Sequence, residues 1–121
     1  MREGTPVQTV DMQEARERLE ASLAELDRSI ATLTPRVADA DHHGTPGDAD
    51  AGLDLADNAR AAALLEVATE QRRHVIEALD RIEQGTYGLC VICGIPLPEG
   101  RLEARPEAAR CMVCQAKAES R

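Results

Sequence analysis

The first half of the chain places apolar residues on one face of a predicted helix. From Asp11 onward they follow one another at alternating intervals of four and three, the spacing of a coiled-coil seam. These residues are Leu19, Leu23, Leu26, Ile30, Leu33 and Val37. Asp11, followed three positions later by Glu14, is typical of a helix start. Because Pro35 lacks a backbone N–H, we expect the helix either to stop near Leu33 or to kink there.

A second helical pattern follows a polar segment. Residues 40–53 are rich in Gly, Pro and Asp, which is the composition of a turn. The next helix is predicted to run from Asp54 to a stop at Gly85, with Asp54 placed to act as its N-cap and Asp57 at its third position. Arg72 is the one polar member of its apolar ladder. The other members are Ala61, Leu65, Ala68, Val75, Leu79 and Ile82.

The two helical patterns predict an antiparallel hairpin. Each has a single apolar stripe that must be buried against another element, and the polar connection between them is short. We therefore predict an all-α fold, a coiled-coil helical hairpin followed by a small C4 zinc finger with a terminal helix. The predicted domains are a tail at residues 1–10, the hairpin at 11–84 with its acidic tip at 40–57, and the zinc finger at 85–121.

Composition and charge disfavour several classes of function. The 121 residues include one Tyr and no Phe or Trp, which leaves little material for the thick core of a large enzyme. The net charge is −8, and residues 40–57 carry five acidic and no basic side chains. Such a balance disfavours a protein that grips the phosphate backbone, so a role near nucleic acid would require a protein partner. The lack of a long apolar run or a secretion signal predicts a cytoplasmic protein with no membrane contact.

All four cysteines occur in two C-x2-C pairs separated by 17 residues. In a reducing compartment this spacing favours a four-thiolate zinc site over disulfides. The predicted ligands of a single structural Zn²⁺ ion are Cys90, Cys93, Cys111 and Cys114. Redox use of a C-x2-C pair is the alternative interpretation. Pro106 is expected to begin a final helix that runs through Lys117 and carries the second pair.

Two sequence segments resemble the DksA/TraR family of bacterial transcription regulators. They are DLADNA at residues 54–59 and GTYGLCVICGIPLPEGRLEARPEAARCMVC at residues 85–114. The resemblance implies direct binding to RNA polymerase, without sequence-specific binding to DNA. It also implies that the zinc end lies at the rim of the polymerase secondary channel and that the coiled coil reaches inward. The tip motif, which alters open-complex lifetime, would fall on Asp54, Asp57 and Ala59.

The resemblance also bears on the alarmone ppGpp. Some members bind ppGpp jointly with polymerase, and Arg105 matches one of the three basic positions involved. His74 and Gln115 occupy the positions of the other two basic residues. Because only one of the three positions can form a charge-assisted hydrogen bond, we expect little or no response to ppGpp. Arg105 stays a candidate contact for ppGpp or polymerase.

Two other functions remain open at this point. The chain could be a structural zinc adaptor that mediates protein–protein contacts, or a metal or redox sensor based on its cysteines. No nucleophile–base pattern or phosphate-binding Gly-rich loop supports catalysis, so we expect no enzymatic activity. We expect a monomer, although an apolar seam could also pair between chains.

Overall fold

The computed structural model describes residues 11–42 and 51–120, and these residues form four helices. The helices are α1 (Met12–His42), α2 (Ala51–Gln84), α3 (Glu99–Ala104) and α4 (Met112–Glu119). The prediction of an all-α fold is confirmed. The predicted tail at residues 1–10 and the greater part of the predicted tip lie outside the described residues. None of the described helices has both the length and the apolar character needed to cross a membrane.

Helix α1 begins where the sequence predicts. The Asp11 carboxylate oxygen Oδ1 accepts hydrogen bonds from the backbone N–H groups of Gln13 at 3.0 Å and Glu14 at 3.2 Å. These donors belong to the first turn, where a helix offers no carbonyl partner of its own. Asp11 is therefore the N-cap of α1.

Helix α1 also continues through Pro35 and ends at His42. Of the two sequence alternatives, a stop near Leu33 is wrong. A proline inside a helix removes one backbone hydrogen bond at a cost of about 3 kcal/mol. Leu33 and Val37 lie on either side of Pro35 and both are half-buried, so apolar packing continues beyond the proline and offsets that cost.

Helix α2 begins three residues earlier than the sequence predicts. It starts at Ala51, so Asp54 lies inside the helix and the prediction that Asp54 is its N-cap is wrong. Ala51 and Leu53 are strong helix formers, and a single glycine between them does not prevent a helix from extending. The predicted turn at residues 40–53 is wrong at both of its ends, because residues 40–42 belong to α1 and residues 51–53 belong to α2.

The predicted stop at Gly85 is confirmed in detail. Gly85 has φ +80°, a left-handed conformation that glycine adopts without steric cost. The backbone N–H of Thr86 donates to the Arg81 carbonyl at 2.9 Å, and that of Gly85 donates to the Ile82 carbonyl at 3.2 Å. This pair of bonds is a Schellman motif, which satisfies carbonyls that the end of α2 would otherwise leave unpaired.

The chain divides into two compact units. The hairpin unit comprises residues 23–73, and the finger unit comprises residues 1–22 and 74–121. In the hairpin unit, α2 contributes the buried Ala61 and Ala68. The large side chains of α1 in this unit are half-buried, and they are Leu23, Leu26, Ile30, Leu33 and Val37. Arg72, the polar member of the α2 ladder, pairs with Asp27 of α1, with Nε 2.6 Å from Oδ1.

In the finger unit, the ends of α1 and α2 share one core with the zinc finger. The buried apolar residues outside the cysteines are Ala15, Leu19, Val75, Ala78, Tyr87, Leu97, Leu102 and Ala108. An ion pair of 2.9 Å between Arg16 of α1 and Glu83 of α2 lies beside this core. Within each unit α1 therefore pairs with α2, and low residue numbers in α1 face high numbers in α2, as an antiparallel hairpin requires.

Candidate metal centre

The structure brings the four predicted cysteines together. Their Sγ atoms all lie within 4.8 Å of one another, and the Sγ atoms of Cys93 and Cys111 are 3.7 Å apart. Four sulfurs placed about 2.3 Å from a tetrahedral zinc ion are separated by about 3.8 Å, so the donor set fits zinc. Thiolates also match the preference of zinc for sulfur ligands. The protein therefore has a C4 site for one structural zinc ion.

A tight turn positions the first cysteine pair. Gly94 follows Cys93 and has φ +81°, and its backbone N–H donates to the Cys90 carbonyl at 2.9 Å. The N–H of Cys90 in turn donates to the Ile95 carbonyl at 2.8 Å. A side chain at position 94 would strain this turn, because residues with a Cβ rarely adopt such a positive φ. The glycine thus allows the chain to fold back around Cys90.

The start of α4 positions the second pair. Cys111 is the N-cap of α4, with an extended backbone at φ −70° and ψ 169°, and its Sγ accepts the backbone N–H of Cys114 at 3.4 Å. The prediction that Pro106 begins this helix is wrong. The extended backbone at Cys111 interrupts any helix that starts before it, so α4 begins at Met112 and Cys114 lies in its first turn.

Backbone hydrogen bonds favour the thiolate form of two cysteines. Burial by itself raises the pKa of Cys90, but hydrogen bonds from the backbone of Cys93, Cys111 and Ile92 outweigh burial and lower that pKa from 9.0 to about 5. The backbone N–H of Cys114 is the main cause of the lowered pKa of Cys111. Since the thiolate is the form that binds a metal, these N–H groups prepare both sulfurs as ligands.

Cys114 behaves differently from these two. Its pKa rises to about 12, first because its thiol is hydrogen-bonded to the Cys111 sulfur and then because it is partly buried. Since a thiol must lose its proton to become a zinc ligand, zinc binding at Cys114 releases a proton. Four protein sulfurs fill all four positions of a tetrahedral ion and leave none for a substrate water, which is the arrangement of a structural site.

The other predicted site residues do not join this cluster. Asp57 and Ala59 are exposed on α2 in the hairpin unit. Asp54 lies in α2, and its side chain is outside what the structure describes. Arg105 is exposed in the finger unit, with a guanidinium nitrogen 3.7 Å from a carboxylate oxygen of Glu107.

Sequence reasoning missed the contacts that hold the segment before Cys111. Tyr87 is buried, and its hydroxyl donates to the Pro106 carbonyl at 2.8 Å. Arg18 of α1 donates through Nη2 to the Glu103 carbonyl at 2.7 Å. The single aromatic residue of the chain, close to the first cysteine pair, was the one available signal for the first contact. No local pattern marks Arg18, because its partner lies 85 positions further along the chain.

Comparison with known proteins gives consistent results. Residues 85–120 match the family model described as the prokaryotic dksA/traR C4-type zinc finger. A 75-residue alignment with the RNA polymerase-binding transcription factor DksA of Caulobacter vibrioides is 39% identical. A 55-residue alignment with an uncharacterized protein of Aquifex aeolicus is 44% identical. The structure of transcription factor DksA2 from Pseudomonas aeruginosa is similar with a TM-score of 0.73 and 26% identity, over 90% of this chain and 83% of that one.

The curated relatives are matched over only part of their length. The alignment with the Caulobacter protein spans 56% of this chain and 53% of the relative. The alignment with the Aquifex protein spans 46% of this chain and 37% of the relative. The family model matches residues 85–120, whereas the structural match covers 90% of this chain and therefore includes most of α1 and α2 as well.

Proposed function

Because the chain belongs to the DksA/TraR family, whose C4 zinc finger it carries, we propose that it regulates transcription by binding RNA polymerase. The observation that carries the proposal is the combination of a matching zinc finger at residues 85–120 with a helical hairpin like that of DksA2. One relative, which is 39% identical over 75 residues, is described as binding RNA polymerase. In this proposal the protein is a cytoplasmic regulator that acts through the polymerase and is not an enzyme.

The finer proposal concerns the hairpin. The coiled coil enters the secondary channel of the polymerase, and its acidic tip alters the stability of the open complex without sequence-specific contact to DNA. Two features support this. Residues 40–57 hold five acidic side chains and no basic one, and both Asp57 and Ala59 are exposed on α2. The Asp57 carboxylate can pair with a basic group of another protein, and the small side chain of Ala59 leaves room for that protein's surface.

The zinc ion has a supporting part in this function. It would be held by Cys90, Cys93, Cys111 and Cys114, and it supplies folding free energy to a segment with little apolar material of its own. The residues of this segment then form one core with the ends of α1 and α2. We infer that the metal keeps residues 85–120 folded against the ends of α1 and α2 within the finger unit, and that it takes no part in a reaction.

The response to ppGpp is expected to be weak. Arg105 is exposed and available to a phosphate, apart from a long ion pair with Glu107 at 3.7 Å. His74 and Gln115 occupy the other two positions at which some family members carry basic residues. Neither residue is a Lys or Arg, whose cations form the strong charge-assisted hydrogen bonds to phosphate. A contact of Arg105 with ppGpp or polymerase is therefore proposed as an isolated one.

The test uses zinc-loaded full-length protein and purified RNA polymerase. The Asp57→Asn variant removes one exposed charge and keeps the size of the side chain. The matched control is Asp80→Asn, which makes the same change at an exposed position near the other end of α2. We expect both variants to bind polymerase, and only Asp57→Asn to lose the effect on open-complex lifetime.

Two outcomes would contradict the proposal at different levels. If the wild-type protein does not co-elute with core polymerase, the polymerase-binding function is wrong and the structural adaptor becomes the better interpretation. If it binds, but Asp57→Asn and Asp80→Asn change open-complex lifetime equally, the role of the tip is wrong while the binding function stands.

A further inference from the structure

The segment that leads into the second cysteine pair is held by its carbonyl groups. We call residues 103–110 the carbonyl loop. Three of its backbone carbonyls accept short hydrogen bonds: that of Glu103 from Arg18 at 2.7 Å, that of Pro106 from Tyr87 at 2.8 Å, and that of Ala109 from the N–H of Val91 at 2.8 Å. The Arg110 carbonyl accepts from Arg101 at 3.2 Å, and the carbonyls of Glu107 and Ala108 both accept from Arg81 at 3.5 Å. The loop leads directly into Cys111, so the position of the loop determines where the third zinc ligand lies.

Two of these donors lie on the long helices α1 and α2, outside residues 85–120. Arg18 belongs to α1 and Arg81 to the last turn of α2. The Arg18 bond is short, and its acceptor is the carbonyl of a residue near the end of α3. The Arg81 contacts are long, but they reach two neighbouring carbonyls from one guanidinium nitrogen. Both helices of the hairpin thus hold the loop, at separate points along it.

Arg81 is an unusual residue for its surroundings. It is 9% exposed, and its Nε has no hydrogen-bond partner within the described part of the chain. Burial is the main cause of its lowered pKa, and the electrostatic influence of Glu77 and Tyr87 acts in the opposite direction. A buried cation with an unpaired donor is unfavourable, and an apolar side chain of similar volume is often at least as stabilising. Packing alone therefore does not explain a guanidinium here, whereas its contacts with the loop carbonyls do.

We propose that Arg18 and Arg81 are positioning residues of the zinc site, through which the ends of α1 and α2 in the finger unit slow the loss of the metal. A zinc ion leaves a four-thiolate site when its ligands detach, and Cys111 and Cys114 can move away only if the carbonyl loop moves. By holding that loop from α1 and α2, the two arginines keep the second pair next to the first. This inference rests on the zinc centre and does not depend on the polymerase function.

The test measures the rate of zinc transfer from loaded full-length protein to a chromophoric chelator at neutral pH. The variants are Arg18→Met and Arg81→Met. The matched control is Arg16→Met, which removes an arginine of the same unit whose guanidinium pairs with Glu83 of α2 and not with the loop. We expect each positioning variant to release zinc about tenfold faster than wild type, the lower end of what outer ligand-supporting contacts provide. The control should stay within about twofold of wild type.

A second measurement separates positioning from general destabilisation. The Tm of the helices, followed by circular dichroism, should not fall in Arg81→Met, because an apolar side chain replaces a buried cation. Faster zinc release at an unchanged or higher Tm is what the proposal requires. Arg18→Lys keeps one donor at the same place, so it should release zinc at a rate between those of wild type and Arg18→Met.

The proposal does not depend on Arg81→Met folding correctly. Arg18 is exposed, so Arg18→Met leaves the core of the finger unit intact and decides the matter alone if the other variant fails to fold. Equal release rates for Arg18→Met and Arg16→Met would overturn the proposal. So would a rate increase in all three variants that merely follows their loss of Tm.

Discussion

The hydroxyl oxygen of Tyr87 lies 2.8 Å from the carbonyl oxygen of Pro106, and the tyrosine is 2% exposed. This bond joins the segment before the first cysteine pair to the carbonyl loop before the second. Tyr87 is also the only aromatic residue of the chain. Every tyrosine signal of the protein therefore reports on the packing of the zinc finger.

We expect Tyr87 to ionise at a higher pH in the folded protein than in the unfolded chain. Its pKa is raised above 10.0, chiefly by burial and slightly by Glu107, while Arg18 and Arg81 act in the opposite direction. The neutral phenol is also the form that can donate to Pro106. A titration of zinc-loaded protein, followed by tyrosinate absorbance, should have its midpoint above 10, and a titration in denaturant should have it near 10.

The same shift predicts how stability depends on pH. A group whose acid form is favoured in the folded state contributes stability that is fully present below its unfolded pKa. For Tyr87 this contribution is present below about 10 and is lost as the pH rises through the higher folded value. Denaturant unfolding at a series of alkaline pH values checks the direction, with Tyr87→Phe as the control that lacks this dependence. A titration midpoint at or below 10 in the folded protein would contradict the burial of the phenol.

Removal of zinc should unfold the finger while much of the helix content remains. A structural zinc ion contributes an apparent ~10–16 kcal/mol in small zinc-binding peptides, and the finger has few large buried side chains of its own. The α1–α2 seam in the hairpin unit contains none of the ligands. After chelation we expect the Tyr87 fluorescence of a solvated tyrosine, with a smaller loss of the helical circular dichroism signal. An unchanged tyrosine signal in verified zinc-free protein would exclude the structural role.

Replacing Leu19 by Ala should destabilise the finger unit by about 2–5 kcal/mol, the usual cost of truncating a fully buried leucine. Leu19 is 1% exposed and belongs to the core that α1 shares with the finger. Leu64→Ala is the matched control, because Leu64 is 51% exposed on α2 and its truncation leaves no cavity. Denaturant unfolding of zinc-loaded protein measures both. Equal losses of free energy would show that α1 does not contribute to the core as described.

The ion pair between Arg72 and Asp27 should contribute little to stability. The two side chains are 42% and 50% exposed, and exposed pairs are typically worth about 0.2–1 kcal/mol. Arg72→Leu extends the apolar ladder of α2, so we expect it to be neutral or stabilising in the hairpin unit. A double-mutant cycle with Asp27→Ala measures the pair itself. A coupling energy well above about 1 kcal/mol would mean that the pair fixes the register of the two helices.

The elements that the sequence predicted correctly depend on near neighbours along the chain. The spacing of Leu19, Leu23 and Leu26 determines one helical face, and Asp11 caps a helix whose first turn follows it directly. Gly85 ends α2 for the same kind of reason, since its left-handed backbone serves carbonyls only three to five residues earlier. The cysteine spacing likewise predicts the ligand cluster, because two residues between ligands suit one metal ion.

The features that the sequence did not predict depend on competition or on distant partners. The preference for aspartate at a helix N-cap favours a start of α2 at Asp54. It does not account for the extension of the helix across Gly52 to Ala51. Pro106 suits a first helical turn, but the backbone at Cys111 is extended and α4 begins after it. The burial of Arg81 arises only when residues more than 20 positions later fold back over it.

The two helices of the hairpin unit differ in which changes of side-chain size they tolerate. Among the α2 side chains that the structure describes in this unit, Ala61 and Ala68 are buried and Leu65 is half-buried, whereas α1 supplies five larger half-buried apolar side chains. Truncation has little to remove from an alanine, and enlargement would push the helices apart. In homologous proteins we therefore expect the α1 positions to keep large apolar side chains, and the positions of Ala61 and Ala68 to keep small ones.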